Sequence, residues 1–417
     1  MKTAFKFFVL ALLAGTMFAS CGDDKKDDGS TPPDKGEYPP VEITSDVKGP
    51  VKAGIASAIE IMGSGFEADD YIYIGYDKGD GTMVYERVPA SLLTIRTGRI
   101  SFGVSITAGY LDKTVKVYLD RVPYDRMPIS GDITFTLPSV EEGYIPDAGF
   151  RTTLSSTHEQ QGNPEIAPLF NALGMLDVEG AKSIKKLNLY ASTAYSLEGI
   201  ELFPNVTFVS GWDMPNVKEI DLSKWKARGL DFRCERAASL EKLIGAPFLT
   251  RLVCHSCPKL TYVDVHDSNW LTALEISEPK AEGAVSSVTY LDIRRNQSGQ
   301  FSASPSLDSD YTIWGGDSGF KVADNATIKI DSWFVFDHNY GNGNCWDNIY
   351  DAWKNRGAKI EVYSRVDPYR DELLGTVPMA SVDPDALSPS SHNGGKPTNK
   401  WQVEDPHTDY TEAPGLQ

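Results

Sequence analysis

Apolar residues recur along this chain in two rhythms, and the change from one to the other divides it. From residue 41 to about 138, β-branched and aromatic residues alternate with polar ones in short runs broken by Gly, Asp and Pro. That is the pattern of strands with one buried face. Strands are predicted at 58–62, 71–74, 83–85, 114–119 and 133–137, and the segment Asp77-Lys78-Gly79-Asp80-Gly81 is predicted to close a hairpin. Its glycines supply the positive φ that such turns need. A run of roughly a hundred residues of this texture implies a β-sandwich.

Past Glu141 an internal period takes over. Ile220-Asp221-Leu222, Phe232-Arg233-Cys234, Leu252-Val253-Cys254, Val263-Asp264-Val265, Leu274-Glu275-Ile276 and Leu291-Asp292-Ile293 are apolar-x-apolar triplets, and Val217, Leu249, Leu260, Leu271 and Val288 precede several of them. Cys254, Val265 and Ile276 follow one another at intervals of 11, while Cys234 and Cys254 are 20 apart. Two half-turns thus make a coil of about 21 residues whose apolar edge is buried only by stacking on the next coil. A solenoid with a continuous ladder of triplets is expected.

Residues 54–75, with Ile59-x-Ile61-x-Gly63-x-Gly65-Phe66 and then Asp69-Asp70, resemble the start of an IPT/TIG-type immunoglobulin-like module. In that family the Gly-x-Gly-Phe turn joins the first strands of a spacer or binding domain. Ile145-Pro146-Asp147-Ala148-Gly149-Phe150, followed by Leu197-Glu198-Gly199-Ile200-Glu201-Leu202-Phe203, resembles the N-terminal cap of internalin-like bacterial leucine-rich-repeat proteins. The likeness runs from about Tyr144 to Asn296. Family members often carry a calcium-like loop in this cap, but residues 171–180 here hold only Asp177 and Glu179 as acids.

At the start, Lys2 and Lys6 precede an uncharged stretch over residues 7–20, and Cys21 follows the small pair Ala19-Ser20. As a helix at about 1.5 Å per residue, that stretch is much shorter than a bilayer core of roughly 30 Å, so it reads as a secretory signal that is removed. Phe18-Ala19-Ser20-Cys21 resembles a bacterial lipobox, which implies lipidation of Cys21, and the acidic run after it resembles the tag that sends some Gram-negative lipoproteins to the cell exterior, which implies an outer-membrane anchor facing outward. Two or three acyl chains bind a membrane far more durably than one. The run Gly22-Asp23-Asp24-Lys25-Lys26-Asp27-Asp28 and the Pro-rich stretch to Pro40 read as a flexible stalk.

The expected organisation is signal 1–20, stalk 21–40, immunoglobulin-like sandwich 41–140, leucine-rich-repeat solenoid 141–300, small α/β cap 301–366 and largely disordered tail 367–417. The class is mainly β with some α. With 58 acidic and 40 basic residues the chain carries a formal charge of −18. That balance disfavours nucleic acid and anionic membrane as partners.

Cys254-His255-Ser256-Cys257 suggests zinc or redox chemistry, yet lacks a second ligand pair and a thioredoxin-like setting. Ladder packing of the thiols, a disulfide involving Cys257, and metal or catalytic use stay open, in that order. His255 and His266 are expected at the surface. No nucleophile elbow, phosphate loop or His-Glu-x-x-His motif occurs, so no catalytic residues, cofactor or metal are assigned. Residues between the ladder anchors should project outward as the binding face: Arg233 and Glu235 beside Asp231, then Arg251 and His255, Glu275, and Tyr290, Asp292 and Arg294. Their mixed charge favours a protein or host-surface ligand. The alternative is glycan binding through Tyr311, Trp314 and Trp346, in an aromatic-rich segment that also holds the strand-like 328–330 and 333–336, a helix over 347–356 and a strand at 359–363.

Overall fold

The computed structural model describes residues 39–377, apart from 48, 122–123, 159–161, 269, 272, 278–285, 296–320, 332–344 and 365, together with 406–407. Cys21, the signal, the stalk up to residue 38, Tyr311 and Trp314 lie outside the described residues, and of Trp346 only the backbone is described. The protein is mainly β with few helices. No helix among the described residues is long and apolar enough to cross a membrane.

The first part contains β1 (Glu42–Ser45), β2 (Gly49–Lys52), β3 (Ile59–Ser64), β4 (Tyr71–Asp77), β5 (Met83–Arg87), β6 (Leu93–Arg96), β7 (Arg99–Phe102), β8 (Val115–Arg121), β9 (Tyr124–Pro128) and β10 (Ile133–Thr136). One sheet runs β1-β3-β7-β6; the other runs β2-β10-β8-β4-β5, with β9 beside β8. Alternation decides which side chains go inside. In β3, Ile59 and Ile61 are buried while Glu60 and Met62 are exposed, and Val115, Val117 and Leu119 of β8 repeat the device. These residues share one core with Ile72, Ile74, Ile100 and Phe102, where removing apolar area from water contributes about 25 cal/mol per Å².

Two sequence signals acquire a physical cause here. At the hairpin between β4 and β5, the Asp77 carboxylate accepts from the Gly79 and Gly81 amides at 2.7 and 3.0 Å. In the Gly-x-Gly-Phe segment, Gly65 has φ +77°, and a Cβ there would sit 2.2 Å from the Pro40 carbonyl. Arg121, buried against Asp70 at 3.1 Å, donates to the Gly65 carbonyl at 2.6 Å and to the Pro39 carbonyl at 3.0 Å. The chain entering at Pro39 is thereby clamped to this turn.

The second part begins with α1 (Ala148–Ser155), capped by Asp147, and the single turn α2 (Val178–Ala181), capped by Asp177. Strands follow: β11 (Lys186–Asn188), β12 (Phe208–Trp212), β13 (Glu219–Asp221), β14 (Leu230–Glu235), β15 (Lys242–Ile244), β16 (Leu249–His255), β17 (Tyr262–Asp264), β18 (Ala273–Ser277), β19 (Tyr290–Asp292), β20 (Thr327–Asp331), β21 (Lys359–Tyr363) and β22 (Leu373–Val377), with α3 (Cys345–Arg356) between β20 and β21. From β12 to β19 the chain alternates between two parallel sheets, β11-β12-β14-β16-β18 and β13-β15-β17-β19-β20-β21, the latter closed by antiparallel β22.

Register in the first of these sheets follows the sequence spacing, with Cys234 opposite Cys254 and Cys254 opposite Ile276. Inward residues of both sheets merge into one core. At the strand ends Ala191, Asp213, Arg236 and Ser256 take positive φ, as do Asp267 and Arg295 on the other sheet. The Ala191, Asp213 and Arg236 amides donate to carbonyls of the next strand at 2.8–2.9 Å. Each corner thus trades an uncommon backbone conformation for a bond to the neighbouring strand.

Two expectations need correction. The strands at 327–331 and 359–363 do not stand apart as a cap: β20 and β21 continue the second parallel sheet in register with β19. Within the supposed tail, β22 pairs with β21, because Leu374 and Val377 pack on the core that β21 would otherwise leave open. His407 also stacks on Tyr369 with ring centroids 3.7 Å apart. The two parts meet at Ala53, Ile106 and Met175, where the Ile106 amide donates to the Leu173 carbonyl at 3.0 Å.

Candidate functional site

Each parallel sheet turns one side to the core and the other outward, and the predicted binding residues divide between the two outward faces. The first face takes Arg233 and Glu235 from β14, Arg251 and His255 from β16, and Glu275 from β18. Tyr290, Asp292 and Arg294 do not join them. Their strand β19 pairs with β17 in the second sheet, since from β12 to β19 successive strands go to the two sheets in turn and the triplets therefore fall alternately on opposite sides of the core.

On the first face the charges are locked to one another. Arg233 forks onto Asp231, with its NH2 3.0 Å from Oδ2, while its guanidinium lies 5.0 Å from the Phe208 ring. Arg251 reaches Glu275 at 2.6 Å, and His255 approaches the other oxygen of Glu275 at 3.5 Å. Burial alone would raise the Glu275 carboxyl, but His255 and Arg251 outweigh it and hold the group below its ordinary value of 4.5. Val253 and Glu235, both expected to project outward, are buried, and the His255 side chain is only 14% exposed rather than pointing into solvent. Neighbouring side chains lie along the sheet and cover one another.

The second face was only partly foreseen. Tyr262 and Tyr290 stack flat, centroids 4.3 Å apart and planes 2° from parallel. Lys242 lies 5.7 Å from the Tyr262 ring, and Lys329 lies 5.2 Å from that of Tyr290. Burial raises the Tyr290 hydroxyl pKa, and the Asp292 carboxylate adds to the effect. Arg294 is bidentate to Asp292, at 2.9 Å through Nε and 2.7 Å through NH2, and its guanidinium stands 4.2 Å from the Tyr363 ring. Desolvation works against that cation, yet the Asp292 hydrogen bonds raise its pKa above the ordinary value. Tyr-x-Asp recurs as Tyr262-x-Asp264 and Tyr290-x-Asp292, a repeated pattern on the chain that would have revealed this column.

One group of potential metal ligands converges among the described residues: Asp264, His266 and Asp292 place donor atoms within 4.8 Å of one another. Each is already engaged. His266 Nδ1 meets Asp264 Oδ1 at 2.5 Å, the Tyr262 hydroxyl reaches Asp264 Oδ2 at 3.2 Å, and Arg294 holds Asp292. An ion there would have to displace these partners. His266, expected at the surface, is half-buried by this pairing.

The three described thiols, Cys234, Cys254 and Cys257, are reduced and buried. Contact with Cys257, then burial, raises the Cys234 thiol pKa; burial raises that of Cys254. Cys257 Sγ donates to the Cys234 carbonyl at 3.6 Å. This is packing chemistry: a raised pKa suppresses the thiolate that attack or metal binding requires.

No protein-family model matches the chain, and no curated protein sequence matches it.

Proposed function

We propose that this chain is a non-catalytic binding protein of the cell exterior. An immunoglobulin-like β-sandwich acts as a spacer, and a leucine-rich-repeat solenoid meets a protein or host-surface ligand. On this reading Cys21 is lipidated and anchors the molecule to the outer membrane. The observation that carries the proposal is the interlocking of the outward side chains. Asp231, Arg251, Glu275 and His255 on one face, and Lys242, Tyr262, Tyr290 and Lys329 on the other, hold fixed positions on stacked parallel strands. A surface ordered before the partner arrives loses little side-chain entropy on association.

Half-buried Phe208 and Trp212 beside these charges supply the aromatic contacts in which binding energy concentrates. The alternative carbohydrate surface, set on Tyr311, Trp314 and Trp346, falls outside the described side chains. The Tyr262–Tyr290 stack offers it no help, because each ring already covers one face of the other.

Surface plasmon resonance against fibronectin, fibrinogen, laminin and collagen tests the reading. At least one should bind with a Kd below about 10 μM, and Trp212→Ala or Tyr290→Ala should weaken it at least about tenfold. Absence of binding to the whole panel, or binding indifferent to both substitutions, would refute it. For the anchor, a palmitate analogue should label the wild type in its bacterial host and leave Cys21→Ser unlabelled; equal labelling of both would place the attachment elsewhere.

A further inference from the structure

Where β13 forms the edge of the second sheet, it and the loop 195–201 enclose a cleft of about 390 Å³. This lies at the small end of sites that hold small molecules, roughly 300–1,000 Å³. Tyr195 lines the cleft and is 71% exposed, by far the most exposed large apolar side chain among the described residues. Its backbone is nonetheless fixed. The Asp147 carboxylate that caps α1 through Phe150 N at 2.7 Å also accepts from the Tyr195 amide at 3.0 Å and the Ser196 amide at 3.3 Å. The floor is equally rigid: buried Leu197 lies beside Trp225, whose indole N–H donates to the Phe203 carbonyl at 3.0 Å.

Charge then decides what kind of guest fits. Of the acids around the cleft, Glu219 is paired with Lys242 at 2.7 Å, while Glu201 and Asp221 accept from the Gly199 and Ser223 amides at 3.0 and 2.9 Å and keep their charge. Glu198, Glu201 and Asp221 thus stand close to Lys218 and Lys224, with both signs of charge on the walls. A cation or an anion would meet like charge as well as unlike charge there. A neutral molecule bearing many hydroxyls avoids that conflict, because carboxylates accept from its hydroxyls, ammonium groups donate to them, and its C–H face packs on the Tyr195 ring.

We propose that this cleft binds a short neutral saccharide, independently of the two outward sheet faces. Isothermal titration with maltopentaose, cellopentaose, xylopentaose, mannopentaose and N-acetylchitopentaose is the test, with lysine-rich and glutamate-rich heptapeptides as charged competitors. At least one sugar should bind with a Kd below about 1 mM. Tyr195→Ala should weaken it by about tenfold or more, Tyr195→Trp should retain it, and Lys224→Ala on the opposite wall should also weaken it. Trp212→Ala and Tyr290→Ala should leave sugar binding unchanged, which separates this site from the protein-binding faces. The proposal fails if none of the five sugars binds, if Tyr195→Ala binds as well as wild type, or if either charged peptide binds more tightly than the sugars. Tyr195 is exposed, so the thermal midpoint of Tyr195→Ala should match wild type, and loss of binding then reports the cleft.

Discussion

Glu275 shows how an outward-facing position became a structural one. It stands where strand alternation puts a residue toward solvent, yet Arg251 and His255 converge on it and burial follows. Because its folded pKa lies below its ordinary value of 4.5, its contribution to stability is present above that value and is lost as pH falls through the lower, folded one. Replacing it with Gln should cost about 2 kcal/mol at neutral pH, the scale of a hydrogen bond to a charged group. Urea denaturation from pH 7 down to pH 3 should show wild type losing more stability than Glu275→Gln; parallel curves would contradict the pairing. The thiols make a companion case. Iodoacetamide at mildly alkaline pH should leave Cys234, Cys254 and Cys257 unmodified in the folded chain and alkylate all three in denaturant, read by peptide mapping. At this scale the sequence could show that Arg233, Glu235, Arg251, His255 and Glu275 lie between ladder anchors, but not that they would cover one another. Mutual burial depends on which side chains stack across coils, and that is set by register rather than by any local pattern.

Among the elements, alternating strands such as β3, β4, β5, β8, β10 and β21 were legible, and a few others were not, for identifiable reasons. The chain over β1, Glu-Ile-Thr-Ser, buries nothing, and β2 contains Pro50, which reads as a strand breaker although it is tolerated where β2 ends its sheet. Strand β15, Lys242-Leu243-Ile244, was overlooked because Gly245 follows where other triplets carry a second apolar anchor. The corner residues with positive φ were invisible too: Asp213, Arg236 and Ser256 share no residue type, so their common conformation comes from the coil and not from propensity. Asp147 is the reverse case, a motif residue whose two tasks follow from its place. Asp147→Ala removes the cap of α1 and releases the Tyr195 loop together. It should therefore destabilise the protein by at least the usual ~1 kcal/mol of a lost cap, measured by chemical denaturation, whereas Asp177→Ala should cost no more than that, since its carboxylate holds only the Glu179 amide beside a single helical turn.

For the whole molecule, the 11-residue interval in the sequence is the distance from one sheet to the other, and the interval near 21 is the step from one strand to its neighbour in the same sheet. Counting the triplet Leu291-Asp292-Ile293 with the set that carries Cys234 and Cys254 is what placed Tyr290, Asp292 and Arg294 with Arg233, whereas β19 pairs with β17. Longer intervals after β19 hid the continuation: Tyr290 pairs with Thr327, and Thr327 with Lys359, spacings too wide and uneven to read as the same repeat. Both proposed binding surfaces depend on the parallel stacking of these coils, and engineered disulfides test it most directly. Ser210 and Arg233 are opposite each other on adjacent outward positions, at the roughly 4.8 Å separation of neighbouring strands, within disulfide reach. Ser210 and Val253 stand two strands apart, at about 10 Å. Under mild oxidation, the double variant Ser210→Cys with Arg233→Cys should form its disulfide by peptide mass spectrometry, and Ser210→Cys with Val253→Cys should not. Equal cross-linking of both pairs, or of the second alone, would contradict the stacked-coil account.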